Sequence, residues 1–169
     1  MEKGRDKVSG KVLVVYYSRT GTTRRLAEEI SGRLGADIEE VIDKRNRKGI
    51  IGWLSAGRDA GAKRLTEIAE PQRELGLYDL VLIGTPTWNG NISTPIRTYM
   101  TKYRESFHDV AIFCTGSVGD NRPLGDMEAL IGKKPLASIK FMVKQEIETG
   151  GYIQKMNEFV ERLKVPEGP

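Results

Sequence analysis

The stretch KVLVVYYSRTGTTRRLAEEISGRLG, residues 11–35, joins a strand, a hydroxyl-rich loop and a helix without interruption. Its first eight residues are dominated by Val, Leu and Tyr, which predicts a strand buried on both faces of a sheet. Farther along, Leu26, Ile30 and Leu34 recur at helical spacing, and Gly35 is a typical helix stop. A strand that leads into a helix in this way is typical of α/β proteins with a parallel sheet.

The same alternation continues to the end of the chain. Further strands are predicted over residues 36–43, 79–86, 109–116 and 137–143, and further helices over 48–64, 93–103, 125–132 and 150–163. This pattern predicts an α/β fold in three layers, a doubly wound five-stranded parallel sheet with helices on both faces. We expect a single domain over residues 1–169, with flexible tails at 1–10 and 164–169. Two strand orders suit the pattern, that of dinucleotide-binding folds and the order 2-1-3-4-5.

The second and last predicted helices carry specific core assignments. In the second helix the expected inward positions are Ile51, Leu54 and Leu65, and Trp53 beside them is also assigned to the core. Gly57 and Gly61 form a GxxxG pair, which favours either close packing or a break in the helix. In the last helix the expected buried residues are Ile153, Met156, Val160 and Leu163.

Composition and charge restrict the classes of partner. The 27 basic and 23 acidic residues give a net charge of +4, but the two signs are interleaved, so no nucleic-acid partner is expected. No apolar run approaches the roughly 20 residues that span a bilayer, so no membrane partner is expected. The single cysteine, Cys114, is assigned to the core and fits a reducing, cytoplasmic compartment. The basic run at 43–49 is predicted as a solvated loop, with docking of an anionic partner as the alternative.

Three loops follow the predicted central strands: SRTGTT at 18–23, TPTWNGNIS at 85–93 and TGSVGDNRP at 115–123. In doubly wound folds, ligands bind beyond the carboxyl ends of the strands, so these loops form the candidate site. The first loop opens a helix, whose unpaired N–H groups and partial positive charge suit a phosphate, and Gly21 lets the backbone approach an anion closely. The alternative is that Thr22 merely caps the helix and the other residues form a polar turn.

Several other classes with this architecture lack their required residues here. The first loop has no cysteine nucleophile, as a phosphatase of this topology needs, and the strand ends lack the acidic residues of a phospho-acceptor receiver domain. The loop contains neither a GxGxxG dinucleotide fingerprint nor a GK[ST] phosphate loop. No catalytic or metal-binding residue is therefore assigned.

The first two loops together give the chain its resemblance to the flavodoxin-like FMN-binding proteins. The family pattern [ST]-x-T-G-x-T is matched at 18–23, and Thr87, Trp88 and Gly90 resemble the T-W-x-G segment that stacks an aromatic ring on the isoalloxazine. The third loop is similar to the family's last flavin-contacting loop. The resemblance implies the strand order 2-1-3-4-5 and the short-chain type, since the fifth strand continues through SIKFMVKQ without an inserted loop. The motif GTPTxxGN at residues 84–91 is also similar to a motif of FMN-dependent quinone reductases.

The resemblance implies FMN as cofactor and assigns its contacts to all three loops. The implied cofactor-binding residues are Ser18, Arg19, Thr20, Gly21, Thr22, Thr23, Thr85, Pro86, Thr87, Trp88, Asn89, Gly90, Asn91, Thr115, Gly116, Ser117, Gly119 and Asp120. Two departures from the family are notable. No tyrosine follows the fourth strand, where flavodoxins have a second stacking ring, and Asn89 replaces the glycine that many flavodoxins carry after the tryptophan.

Three functions are compatible with this sequence. The first is a low-potential electron carrier between protein redox partners, a reductase and an electron acceptor. The alternative is an FMN-dependent NAD(P)H:quinone or related oxidoreductase with an open flavin face, and the third is a binding module without redox work. The absence of a candidate acid–base group favours the carrier, whereas the missing tyrosine and the basic charge favour the reductase. An oligomer is compatible with each.

Overall fold

The computed structural model describes residues 10–164. Residues 1–9 and 165–169 lie outside the described residues, and the expectation of flexible tails falls almost entirely on them. The strands are β1 (Val12–Tyr16), β2 (Asp37–Glu40), β3 (Leu80–Trp88), β4 (Asn91–Ile92), β5 (Asp109–Gly116) and β6 (Ser138–Met142). The helices are α1 (Thr22–Leu34), α2 (Gly49–Gly61), α3 (Thr94–Tyr103), α4 (Arg122–Ile131) and α5 (Tyr152–Leu163).

The main sheet is parallel and has the order β2-β1-β3-β5-β6. The five predicted strands therefore occur in the predicted order 2-1-3-4-5, and the short strand β4 is additional. As its alternating acids suggested, β2 forms one edge of the sheet and pairs only with β1 among the described strands. Helices cover both faces, because α1 and α5 share one apolar cluster with the sheet and α2, α3 and α4 share the other. The predicted doubly wound fold is confirmed.

The predicted apolar face of α1 is confirmed, and that of α5 is confirmed except at one residue. Leu26, Ile30 and Leu34 of α1 are buried, and the helix stops at Gly35 with a φ of 63°. In α5, however, Ile153 is 47% exposed, because the buried face instead includes Tyr152 and Phe159. The strand predicted through SIKFMVKQ ends at Met142, where a π-helical turn begins. Within residues 10–164, no helix is long and apolar enough to cross a bilayer.

A tight hairpin after β3 was not predicted. β3 continues to Trp88, and β4 returns antiparallel to it, with Trp88 paired to Asn91. The two residues between them, Asn89 and Gly90, have φ values of 51° and 70°. Two successive positive φ angles define the type I′ turn that Asn-Gly favours between paired strands. The signal was present in the sequence as W-N-G-N, and it converts an expected polar loop into a hairpin.

Helix α2 packs against the domain with its small residues inward. Gly52, Ala56 and Ala60 recur every four residues, are buried, and belong to a helix that contacts β3, β4 and α3. A side chain at Gly52 would overlap the backbone of Arg47. On another part of the helix, an added Cβ at Gly57 would lie 3.9 Å from the Asn89 side chain. The GxxxG pair itself is not tightly packed, since an added Cβ at Gly61 would also lie at an ordinary contact distance, 3.7 Å from Asn89, and α2 ends at Gly61 as the alternative of a helix break predicted.

The large apolar residues of this region point away from the core. The expectation that Ile51, Leu54 and Leu65 face inward is wrong, and so is the assignment of Trp53 to the core, since all four are 56–84% exposed. The physical reason is that α2 lies close to its neighbours, which leaves room only for Gly and Ala at the contact. In addition, α2 ends at Gly61, before Leu65.

A buried ion-pair cluster holds α2 in this orientation. Arg47 Nε donates to Asp43 Oδ2 at 2.6 Å, and its Nη1 donates to Asp59 Oδ2 of α2 at 3.0 Å. Arg45 Nη1 also donates to Asp59, at 2.8 Å. The side chains of Asp43, Arg47 and Asp59 are only 2–3% exposed. The prediction that residues 43–49 form an ordinary solvated loop is therefore wrong for Asp43 and Arg47, whose charged groups are buried.

Replacing Asp59 with Asn should destabilise the protein in a pH-dependent way. Burial alone would raise the pKa of Asp59, but the hydrogen bond from Arg47 and the charges of Arg45, Arg47 and Arg58 outweigh burial and lower it. A lowered folded-state pKa means that the stabilisation is complete above the ordinary value of 3.8 and is lost as the pH falls through the folded-state value. At pH 7 we expect Asp59→Asn to cost about 3 kcal/mol, because one partner of a buried charge is removed.

Urea unfolding of the wild type and the variant between pH 3 and pH 7 measures this effect. The difference between the two proteins should shrink below about pH 4. The matched control is Glu67→Gln, which removes an exposed ion pair with Lys44 and should change stability little. Equal stability of Asp59→Asn and wild type at pH 7 would contradict the anchoring role.

Candidate functional site

The carboxyl ends of β1, β3 and β5 meet at one edge of the sheet. Tyr16 is in register with Gly84, and Pro86 is in register with Thr115. The hydroxyls of Thr23 and Thr115 lie 2.9 Å apart, so the start of α1 contacts the end of β5 directly. The three loops predicted to form the site are therefore brought together.

The first loop leaves the start of α1 open. Gly21 is the residue before the helix and has a φ of 97°, which an L side chain rarely adopts. Its N–H donates to Ser18 Oγ at 3.0 Å, which turns the chain into the helix. No described side chain caps α1, and its first turn contains no acidic residue, so Thr22 is not the cap that the alternative interpretation required. The first-turn N–H groups are free to bind an anion.

The β3–β4 hairpin is packed closely against the residues that follow it and against the loop after β5. Thr85 is fully buried, and its hydroxyl donates a hydrogen bond to Ser93 Oγ at 2.9 Å, just after β4. Its side chain therefore supports the hairpin and does not line a cavity. Gly116 has no space for a side chain, because an added Cβ would overlap Thr87 Oγ1. An added Cβ at Gly90 would lie 2.7 Å from Arg122 Nη2.

A cavity of about 490 Å³, which we call the hairpin cavity, lies between α2, the turn after β3 and the loop after β5. Its volume falls within the range of small-molecule sites. The predicted site residues that line it are Thr87, Trp88, Asn89, Gly90 and Ser117. The other lining residues are Trp53, Leu54, Ala56, Gly57 and Val118. Half of the lining therefore comes from residues that the sequence did not assign to the site.

The contribution of α2 to the cavity was missed for an identifiable reason. Trp53 and Leu54 lie three residues after Ile50 and Ile51, respectively, and large apolar residues at that spacing normally indicate a core face. The contrary signal was the series of small residues at positions 52, 56 and 60 on the same helix. That series could have indicated that the small face is buried and the large residues are left outside.

Trp88 is largely buried at the end of a strand and does not lie in a polar loop. It was expected in a polar loop with no core to join, but it ends β3 and is only 9% exposed. The Tyr17 ring packs perpendicular to it with centroids 5.4 Å apart, and the Arg47 guanidinium lies over it at 5.4 Å. Trp88 therefore belongs to the apolar cluster beneath α2 while bordering the hairpin cavity. That it stacks on a ligand stays a prediction.

The remaining predicted residues do not line the hairpin cavity. Asn91 Nδ2 donates to the Asn89 carbonyl at 2.8 Å and so stabilises the turn. Gly119 and Asp120 are exposed, and the Asp120 carbonyl accepts from Lys140 Nζ at 2.6 Å. Ser18 and Arg19 line a separate cavity of about 340 Å³ beside residues 40–48. The structure thus divides the predicted set between the start of α1 and the hairpin cavity.

Comparisons with known proteins agree with this architecture. No family model matches the sequence. The chain is similar to a flavoprotein from Lactobacillus acidophilus NCFM, solved in complex with FMN, with 23% identity and a TM-score of 0.69 over 83% of this chain and 98% of that one. It is also similar to oxidised Flavodoxin 1 from Bacillus cereus, with 17% identity and a TM-score of 0.53 over 90% of this chain and 96% of that one.

A third similar structure is two-electron reduced flavodoxin from Megasphaera elsdenii, with 18% identity and a TM-score of 0.53 over 90% of this chain and 98% of that one. At such identities, likeness of structure establishes the fold. The chain has a flavodoxin-like fold, and the expected resemblance is confirmed at that level.

Cys114 should be unreactive in the folded protein. It is fully buried in β5, and burial raises the pKa of its thiol to about 12. At pH 8 the thiolate that reacts with disulfide reagents is therefore scarce as well as inaccessible. A colorimetric thiol assay should detect no rapid reaction in the native protein and one thiol after unfolding in denaturant. Native labelling at the rate of a free cysteine would contradict the core assignment.

Proposed function

We propose that this protein binds FMN and acts as a low-potential electron carrier between a reductase and an electron acceptor in the cytoplasm. The observation that carries the proposal is the pairing of an open, hydroxyl-rich helix start with an adjoining apolar cavity at the same edge of the sheet. The first suits a phosphate, and the second suits a planar ring. A similar structure with FMN bound supports the same ligand.

The residues present fit this ligand. The phosphate would be held by the 18–23 loop, where Ser18, Thr20 and Thr22 are at least partly exposed and the backbone turns at Gly21. The close approach of Gly116 to Thr87 lets the loops after β3 and β5 lie side by side around the ring. When bound, flavin supplies one- and two-electron redox chemistry, and the protein's task is to position and shield the ring.

The lining of the hairpin cavity favours a carrier over an enzyme. Among the described residues that line it, none has an ionisable side chain, so the cavity offers no group for proton transfer to or from a substrate. A second, charged nucleotide would need basic groups at the surface, but Arg97 is only 5% exposed, with its Nη2 3.7 Å from Asp126 Oδ2. It is therefore not a surface binding group.

The alternative is an FMN-dependent NAD(P)H:quinone or related oxidoreductase. The observation in its favour is the exposure of Ser117, Val118, Gly119 and Asp120 at the mouth of the cavity. No aromatic residue occurs among them to cover a ring. An electron carrier exchanges electrons with protein partners, whereas a reductase acts directly on small substrates, so kinetic measurements can separate the two proposals.

Thr20→Ala combined with Thr22→Ala should weaken FMN binding, because both hydroxyls lie in the 18–23 loop and are at least partly exposed, whereas Thr23 is buried against Thr115. Losing one or two charge-assisted hydrogen bonds of about 1.5–3 kcal/mol each should reduce affinity ten-fold or more. Isothermal titration with FMN measures the loss, and riboflavin, which lacks the phosphate, is the control ligand. Riboflavin affinity should stay near that of the wild type. Unchanged FMN affinity in the folded variant would remove this loop from the site.

Anaerobic stopped-flow mixing with NADH and NADPH should separate carrier from reductase. We expect either nucleotide alone to reduce the FMN-loaded protein more slowly than about 1 per second, the lower end of ordinary enzymatic rates. Addition of a flavodoxin reductase should accelerate reduction, and free FMN at the same concentration is the control. Turnover of a soluble quinone at about 1 per second or faster with a nicotinamide nucleotide alone would establish the reductase instead.

A further inference from the structure

The apolar wall of the hairpin cavity is largely uncovered. Trp53, Leu54 and Val118 line the cavity, yet they are 59%, 58% and 55% exposed. Trp88 also lines it, but its ring is engaged by Tyr17 and Arg47. Exposed apolar side chains gathered around a cavity of ligand size are typical of a binding site. The free aromatic surface in this cavity is therefore that of Trp53.

The packing of α2 explains why Trp53 lies there. Gly57 is four residues after Trp53, and an added Cβ at Gly57 would lie 3.9 Å from Asn89 in the turn. Residues four apart share one face of a helix, and helical side chains lean toward the N-terminus. Trp53 therefore lies on the face of α2 that meets the turn, whereas Ile51, at 84% exposure, does not line the cavity.

The ion-pair cluster makes this position well defined. Asp59 lies on the same helix as Trp53, and it is bound by Arg47 at 3.0 Å and Arg45 at 2.8 Å. These pairs, which are costly to break, fix α2 relative to the segment before it, and the Arg47 guanidinium over the Trp88 ring connects that segment to the end of β3. An indole on an anchored helix is a prepared surface for a planar aromatic ring.

We propose that Trp53 of α2 is a flavin-ring contact and supplies the aromatic wall that the loop at 115–123 lacks. This inference rests on the proposed function, since the ring is that of FMN. Leu54 and Val118 add apolar surface to the lining of the same cavity. The site then has two separable parts, the phosphate contacts of residues 18–23 and the ring contact of α2.

The test is flavin affinity measured with two ligands. Trp53→Ala should weaken binding of FMN and riboflavin by the same factor, about ten-fold or more, because stacking on an aromatic side chain is lost. The control Ile51→Ala removes an exposed apolar side chain of the same helix and should leave both affinities unchanged. Trp53→Phe should recover part of the lost affinity. The absorption change of the flavin near its longest-wavelength band on binding should also be diminished in Trp53→Ala.

Each outcome bears on the inference. Equal affinity of Trp53→Ala and wild type for both ligands would overturn the role of Trp53 while leaving FMN binding intact. A loss of FMN affinity without a loss of riboflavin affinity would also overturn it, because the ring contact would then be elsewhere. A wild-type protein that binds neither flavin would overturn the proposed function and this inference with it. Circular dichroism of each variant checks folding, which is expected because Trp53 is mostly exposed.

Discussion

The buried guanidinium of Arg47 is the group on which the arrangement of the candidate site depends. It binds Asp43 in the segment after β2 and Asp59 in α2, and it covers the ring of Trp88 at the end of β3. A charge removed from water in this way is tolerated only while its partners stay in place. The segment after β2, the helix that follows it and the more distant end of β3 are thereby held together. The hairpin cavity lies between two of them, so its shape depends on the same contacts.

This mode of anchoring has a consequence for the surface. A helix usually docks by burying its large apolar residues, but α2 docks through Gly52, Ala56 and Ala60 and through the carboxylate of Asp59. The larger side chains are left in contact with solvent or with the cavity. Apolar area left exposed contributes none of the roughly 25 cal/mol per Å² that burial would give, so such an arrangement persists when it serves binding or when other contacts hold the helix. Here the ion pairs are the offsetting contacts, and the cavity is the site that they support.

The candidate site has a polar end and an apolar end, and each follows from a different feature of the fold. The polar end exists because a parallel strand gives way to a helix whose first N–H groups have no partner in the helix. The apolar end exists because the β3–β4 hairpin projects beyond the sheet and α2 lies beside it. The register of β1, β3 and β5 brings the two ends to one edge of the sheet. A ligand with a phosphate and a planar ring matches this division.

Sequence periodicity by itself indicated the five long strands and the position of the first loop, because burial on regular faces leaves a period in the order of the residues. That pattern left two strand orders open, and only the resemblance carried by the loops implied the order that the structure has. The Asn89–Gly90 turn was also encoded locally, although its hairpin was not predicted. The orientation of α2, in contrast, could not be predicted from the sequence. Both the small residues and the large residues of α2 form plausible helix faces, and the choice between them depends on Arg47, Asp59 and Trp88 meeting in space. Only the tertiary structure brings these residues together, and for that reason it alone placed Trp53 in the site and Trp88 in the core.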